Sequence, residues 1–178
     1  MQILLISGKS GACKSTVERK IEKLGFKRVK SYTTRRMRPE EVDGEDYYFV
    51  NHETFDKLFN EGYIIEKTEY AGEWYGKERL TGDTNFVAVV ERSGIEAMKR
   101  MYGNQVTSVY LDLSTEEASR RRNSRSAMSE EENKKREESD RNNFEDIESV
   151  VDEVISIDKM TIDDIVVRIL CLLKEKRG

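Results

Sequence analysis

Ile3-Leu4-Leu5-Ile6-Ser7-Gly8-Lys9-Ser10-Gly11-Ala12-Cys13-Lys14-Ser15-Thr16 carries the order that decides the fold: an unbroken apolar run, a glycine-bearing loop, and a Lys-Ser-Thr step that opens a helical pattern. An apolar run without alternation reads as a strand buried on both faces. From Gly8 to Ser15 the stretch fits the phosphate-binding loop template G-x-x-x-x-G-K-[ST], with Cys13 where the second glycine belongs. In that template, backbone N–H groups from Gly8 through Lys9, Ser10, Gly11, Ala12 and Cys13 to Lys14, Ser15 and Thr16 surround a nucleotide's phosphates. Lys14 reaches the β and γ oxygens, and the Ser15 hydroxyl holds Mg2+. A template this short also describes ordinary strand–turn–helix junctions. Its place, after the first apolar run and before a helix signal, favours the phosphate reading. Glycine is usual before the lysine because the backbone comes close to the phosphate there. The Cys13 side chain is therefore expected to crowd that approach and, if its φ is positive, to add strain of roughly 1–2 kcal/mol.

A chain of 178 residues suits one domain with a single core. Charged residues make up 37% but nearly balance, 31 basic against 35 acidic, for a net charge of −4. A mildly acidic total argues against nucleic acid as the main partner. Cys13 and Cys171 are too few for a disulfide framework and suit a reducing compartment. The N-terminal apolar run is too short for a signal peptide or a membrane span, and no longer run follows. The expectation is a soluble cytoplasmic protein with no membrane partner; nothing in the sequence speaks to its oligomeric state.

Outward from the loop, Val17, Ile21 and Leu24 lie at helical spacing over 15–24, and Gly25 ends that helix. A short strand is expected around Arg28–Ser31, then an ordered loop, Tyr32–Pro39, with the only proline. Tyr47–Val50 reads as a strand, Asn51 as the cap of a helix with Phe55, Leu58 and Phe59 on one face, and Tyr63–Tyr70 as another strand. Gly72–Gly76 reads as a turn leading into a short edge. Phe86–Val90, Val106–Leu113 and Val151–Ile157 are further buried strands, and a helix over 94–102 turns Ile95, Met98 and Met101 to one side before Gly103. Thr161 caps a last helix striped by Ile162, Ile165, Val166, Ile169, Leu170 and Leu173. Residues 119–143 are of another kind, with only Ala127 and Met128 apolar among eight Lys/Arg; composition alone reads them as a solvated helix pair or a disordered linker. Buried strands alternating with helices imply an α/β fold on a parallel sheet, with ligands at the carboxyl ends of the strands.

The stretch Ser31-Tyr32-Thr33-Thr34-Arg35-Arg36-Met37-Arg38-Pro39-Glu40-Glu41-Val42-Asp43-Gly44-Glu45-Asp46-Tyr47-Tyr48-Phe49-Val50 resembles the substrate loop of the guanylate kinase family: TTR-x-x-R, a short acidic turn, then D-Y-x-F. The resemblance continues through Ile64-Ile65-Glu66 and Trp74-Tyr75-Gly76, and the order of elements matches almost the whole chain. It implies the three-layer P-loop kinase fold, with a central parallel five-stranded sheet. The core would comprise residues 1–31, 84–113 and 144–178, the small α+β substrate-binding insertion 32–83 and the helical lid 114–143. It also implies Mg2+-assisted phosphorylation of GMP or dGMP by ATP. ATP would lie on the loop from Gly8 to Thr16, with the metal at Ser15. Lys14, Arg35 and the lid arginines Arg125 and Arg136 would be catalytic, although neighbouring registers in so charged a lid fit nearly as well. The substrate would meet Ser31, Arg35, Arg38, Tyr47, Glu66, Tyr75 and Glu91.

These roles suit the side chains. Arg35 and Arg38, three apart on an irregular loop, can converge on one phosphate. Tyr47 and Tyr75 offer phenolic donors to the same oxygens. Ser31 would bond guanine O6, and Glu66 would accept from N1–H and the amino group, an arrangement that rejects adenine. Taken singly, Tyr47 and Tyr75 read equally well as strand-core aromatics, Glu66 as an exposed strand residue, and His52 as a surface residue at a helix start.

The chain departs from the family pattern at four places. Cys13 replaces a glycine. Val89-Val90-Glu91 keeps only the second of two acidic residues, the first of which lies near the metal in relatives. A helix is expected to be missing between Gly76 and Phe86. Lys77 stands where a small hydroxyl residue usually helps to hold the base. Two other functions remain open: a P-loop kinase for another modified or deoxy-nucleoside monophosphate or a sugar phosphate, and a non-catalytic binding module. Retention of Lys14 and Ser15 favours an enzyme.

Overall fold

The computed structural model describes residues 1–70, 72–125, 138, 140, 141, 143 to 176. Its first strand, β1 (Ile3–Gly8), is buried along its whole length. It lies at the middle of a five-stranded parallel sheet made with β2 (Lys27–Arg28), β7 (Phe86–Val89), β8 (Val106–Asp112) and β9 (Glu153–Ser156), in the order β2-β7-β1-β8-β9. The absence of polar alternation in β1 follows from cover on both faces. Leu4 and Ile6 meet Val17 and Ile21 of helix α1 (Lys14–Glu22) and Ile165 and Ile169 of the last helix, α5 (Ile162–Glu175). Ile3 and Leu5 face the other way, toward Ile95 and Met98 of α3 (Arg92–Tyr102). From β1 the chain leaves toward β2, whereas from β8 it leaves toward β9. Neighbouring strands whose connections diverge leave a crevice at their carboxyl ends, and the glycine loop opens there.

A second sheet, in the order β4-β3-β6-β5, is built from β3 (Ser31–Thr33), β4 (Tyr48–Phe49), β5 (Thr68–Tyr70) and β6 (Glu73–Lys77). Helix α2 (His52–Asn60) lies between β4 and β5 in the chain, with Phe55 fully buried, and Asn51 accepts a hydrogen bond from the Thr54 N–H at its start. The single strand expected over 28–31 is two strands. Arg28 pairs with β7 in the main sheet, while Ser31 pairs with β6 in the second, so the chain changes sheet at Val29-Lys30. Gly72 stands in the expected turn, but Glu73–Gly76 belong to β6, which is no edge: it is an interior strand bonded to both β3 and β5. Burial rather than local pattern made that difference, because a Gly-Glu-Trp-Tyr-Gly string has turn chemistry when read alone. Phe59 and Met101, placed on buried faces by periodicity, are exposed, and Tyr63–Tyr70 forms a strand only from Thr68. Residues 78–85 form no helix, in line with the expected deletion.

Helix α4 (Thr115–Arg125) follows β8 and begins the highly charged region; the rest of the expected lid, 126–137 with 139 and 142, lies outside the described residues. Helix α5 starts with a capping box, Thr161 and Asp164 each bonding the other's backbone N–H. Five helices stand among the described residues, none long and apolar enough to cross a membrane.

The entry to β9 is tied to β8 by Asp152, which accepts from the Ser108 N–H and hydroxyl, both at 2.7 Å, and pairs with Lys176 at 2.7 Å and Lys99 at 3.3 Å. Partial burial pushes its pKa up, but Lys176, Ser108 and Lys99 outweigh it and bring it from 3.8 to about 2. A depressed carboxylate pKa contributes stability that is present above the ordinary value and lost as pH falls through the folded one. Asp152→Asn should therefore cost about 1–2 kcal/mol near neutrality, low in the range for charge-assisted bonds because its lysines are partly in water. Urea unfolding from pH 7 to pH 2 should show the gap between wild type and variant closing below about pH 4.

Candidate active site

The loop after β1 is shaped by close backbone contacts. A Cβ on Gly8 would stand 2.7 Å from the Leu111 carbonyl oxygen of β8, so only glycine lets the two strand ends lie this close. Cys13, the residue before α1, has φ 56° and ψ 22°, in the left-handed region, and its side chain makes no capping bond to the helix. The positive φ on which the strain argument depended is therefore present. Lys14 turns back over the loop: its ammonium donates to the Gly8 carbonyl and, at 2.9 Å, to that of Lys9. Burial lowers the Lys14 pKa, against the upward pull of Glu91, Asp140 and Cys13. The Ser10 N–H donates to a carboxylate oxygen of Asp140 at 3.2 Å, so the loop already serves as donor to an anion. Ser15 and Thr16 are exposed at the head of α1.

Facing the loop stands the second sheet. A cavity of about 140 Å³ is lined by Ser15, Glu18 and Val89, by Ser31 and Lys77 of the second sheet and by Tyr47 just before β4, which brings the head of α1 and the second sheet to one cleft. A larger cavity, about 370 Å³, reaches the loop at Lys9 and is bounded by Asp112, Ala118, Asp140 and Phe144. Tyr47 and Tyr75 meet edge to face, ring centres 6.2 Å apart, and Arg35 lies 5.6 Å from the Tyr47 ring centre. Arg35 is gripped in two-pronged fashion by Glu41, at 2.7 and 3.0 Å, and Glu41 also accepts from the Arg38 N–H at 2.8 Å. The two arginines thus share a partner, Arg35 through its guanidinium and Arg38 through its backbone, while the Arg38 side chain is exposed. The hydrogen bond and charge of Glu41 raise the Arg35 pKa, and burial raises that of Tyr47.

Glu66 lies behind this cleft. Its Oε2 is buried and has no hydrogen-bond partner among the described residues. Burial pushes its pKa above the ordinary 4.5, with Lys77 pulling down and Glu91 pushing further up. Gly94 of α3 makes room for it: a Cβ there would come within 2.7 Å of Glu66 Oε2. The Glu91 carboxyl, at the head of α3, is likewise raised by loss of hydration, with Lys14 the strongest opposing charge.

Sequence reasoning missed Glu41, Gly94 and Glu18. Glu18 lies 8% exposed and accepts from the Val89 N–H at 3.0 Å, so a carboxylate reaches the very residue at which the expected acid is absent. Its position three after Ser15 on α1 was a usable signal, since i and i+3 share a helix face. It also missed Arg121, which donates to the Cys13 sulfur at 3.4 Å and pairs with Glu117 at 2.8 Å. Of the lid arginines proposed from sequence, Arg125 ends α4 but its side chain lies outside the described residues, as does all of Arg136.

The guanylate kinase family model matches residues 1–176. A guanylate kinase of Thermus thermophilus is 35% identical over 127 residues, 67% of this chain and 58% of that one. The Lactococcus lactis guanylate kinase is 42% identical over 76 residues, 42% of this chain and 37% of its own. These matches thus span between about a third and three fifths of the relatives' lengths. The crystal structure of guanylate kinase from Anaplasma phagocytophilum superposes with a TM-score of 0.76 at 27% identity, over 98% of this chain and 85% of that one.

Two stability effects follow from this geometry. A raised carboxylate pKa means stability that is complete below the ordinary value of 4.5 and lost as pH rises through the folded one. Glu66→Gln, uncharged throughout, should gain about 1 kcal/mol on wild type at pH 7, or about 2–4 °C in Tm, and lose that advantage toward pH 4.5. A lower Tm for the variant at pH 7 would mean that attraction to Lys77 exceeds the desolvation cost. Cys13→Gly relieves a left-handed φ of roughly 1–2 kcal/mol but restores unfolded-chain freedom worth up to about 1 kcal/mol. A net gain of up to about 1 kcal/mol is expected in denaturant unfolding.

Proposed function

The chain belongs to the guanylate kinase family, and we propose that it transfers the γ-phosphoryl group of ATP to GMP or dGMP. The observation that carries this reading is the cleft shared by Ser15 at the head of α1, by Ser31 and Lys77 of the second sheet, and by Tyr47 just before β4. Donor and acceptor phosphates must meet in line, and catalysis of this transfer consists of positioning and charge neutralisation rather than covalent chemistry. In this reading residues 1–31, 84–113 and 144–178 form the core, 32–83 the acceptor-binding insertion and 114–143 the lid.

Within the cleft, loop N–H groups of residues 8–16 cradle the ATP phosphates; the bond from Ser10 to the Asp140 carboxylate supports their competence as anion donors. Lys14 exchanges the Gly8 and Lys9 carbonyls for phosphate oxygens. Arg35 and Arg38, with Tyr47 and Tyr75, hold the acceptor phosphate, Arg35 doing so in competition with Glu41. Ser31 and Glu66 meet the base, and Glu91 lies between the two substrates. Arg125 and Arg136 approach the transferring group from the lid.

Mg2+ fits this donor set on stated terms. Among the described residues no group of three or more His, Cys, Asp or Glu could cage a metal. Ser15 would therefore supply one oxygen and the nucleotide phosphates and water the rest, the coordination that Mg2+ favours. When bound, the ion neutralises charge on the phosphate oxygens.

An ADP-release assay with MgATP against a panel of nucleoside monophosphates and ribose phosphates tests the reading. GMP or dGMP should be the best acceptor, and Lys14→Ala should lower kcat by about 10³-fold or more. Absence of transfer from wild type to any of these acceptors would leave the binding-module alternative in its place.

A further inference from the structure

Two cations straddle the point where the chain changes sheet. Arg28 closes β2, Lys30 precedes β3, and Val29 between them is buried in the core. Lys30 is held at its backbone from both sides. Its N–H donates to Glu78 Oε1 at 2.9 Å, and its carbonyl accepts from the Glu78 N–H at 3.2 Å. The base of the side chain is therefore fixed. Its ammonium donates to the Gly44 carbonyl and, at 3.3 Å, to that of Glu45, and the Arg28 guanidinium donates to the Glu45 carbonyl as well. A third cation, Arg19 of α1, stands 3.9 Å from the Asp46 carboxylate.

All three meet one acidic turn of the substrate loop, and that turn is otherwise bonded within itself. The Val42 carbonyl accepts from the Glu45 and Asp46 N–H groups at 3.1 and 3.0 Å, and the Tyr47 carbonyl accepts from the Gly44 N–H at 2.8 Å. The Asp46 carboxylate accepts from the Val42 N–H at 3.0 Å, and that of Asp43 from the Phe49 N–H at 2.9 Å. The Gly44 and Glu45 carbonyls take no part in these bonds and are the ones met by Lys30 and Arg28. Where those cations hold the turn thus decides where its last residue, Tyr47, stands. Tyr47 lines the cleft beside Lys30 and Ser31, edge to face with Tyr75 and next to Arg35.

We propose that Lys30 is a positioning residue for the acceptor: by fastening the turn 42–47 to the junction of the two sheets, it holds Tyr47 in the cleft before the monophosphate arrives. This assignment rests on the guanylate kinase reading above. Lys30 acts through the turn, to which both its ammonium bonds run, and the ordering of Tyr47 is completed on folding rather than on binding.

Lys30→Met removes both bonds and keeps an apolar stem. Its KM for GMP should rise about 10-fold, the effect of charge-assisted bonds to a partly exposed turn, with kcat and the KM for ATP within about 2-fold of wild type. Calorimetry in a cycle with Tyr47→Phe identifies the route. Lys30→Met should weaken GMP binding about 10-fold beside Tyr47 and less than about 2-fold beside Phe at that position. Equal losses in both backgrounds would make Lys30 a direct contact or a merely structural residue and overturn the inference. So would an unchanged GMP affinity in folded Lys30→Met. Hydrogen exchange of wild type gives a test that does not depend on any variant folding. The Gly44, Glu45 and Asp46 amides should be protected in the free protein, and GMP should change their exchange by less than about 2-fold. Fast exchange that only GMP slows would show a turn set by the ligand and also overturn the inference. Either result would leave the kinase reading standing if wild type turns over GMP, whereas a wild type that neither binds nor phosphorylates GMP overturns both.

Discussion

The structure depends on one constraint: β1 has no face in water. Hydrogen-bonded to β7 on one edge and β8 on the other, and covered by α1 and α5 on one side and α3 on the other, it can present polar groups only at its end. That end is where the chain must turn at Gly8, against the Leu111 carbonyl, and start α1. A rigid strand therefore fixes where the loop begins, the Ser10 N–H of that loop donates to the Asp140 carboxylate, and α1 starts there with its positive end. The second sheet reaches the point through β3, which leaves the main sheet at Val29-Lys30 and brings Ser31 to the cleft.

The cations around that cleft are met by carboxylates of the same chain. Glu41 occupies the fork of Arg35, Asp140 accepts from the Ser10 N–H, and Glu18, Glu66 and Glu91 surround Lys77. Burial alone would make such charges costly, so mutual neutralisation is the condition for placing them there. Any anion reaching Arg35 would have to displace the half-buried Glu41 carboxylate, one charge-assisted pair replacing another. The Glu66 Oε2, by contrast, is buried with no hydrogen-bond partner among the described residues. The pKa shifts report the same balance, with Glu18 and Glu66 raised and Lys14 and Lys77 lowered, all by burial first.

Two departures from the family pattern have structural counterparts. Val89 stands where an acid is usual, but Glu18, three residues after Ser15, brings a carboxylate to its N–H. Lys77 stands where a hydroxyl is usual, and the same Glu18 is the first of the charges that offset it. Cys13 differs from both: it keeps a left-handed φ that glycine would adopt without strain, and Arg121 of α4 bonds its sulfur.

Much of the main sheet was legible from the sequence, because burial on both faces leaves an unmistakable mark: unbroken apolar runs at Ile3–Ile6 and Phe86–Val90, bounded by Gly or polar residues. The glycine loop and the caps at Asn51 and Thr161 were legible too, since their chemistry is local. The second sheet was not. Its strands are two to five residues long and half-buried, too short for a period to emerge, so β6 read as a turn and β2 and β3 as one strand. The site divides in the same way. Residue types along Ser31–Val50 pointed to a phosphate grip, but which anion holds Arg35, which glycine leaves room for Glu66 and which carboxylates surround Lys77 depend on contacts between residues far apart in the chain. Sequence determines which side chains are available and the local geometry they favour. Only the tertiary structure decides which charges are buried together, because desolvation and pairing act on the assembled neighbourhood and leave no periodic trace along the chain.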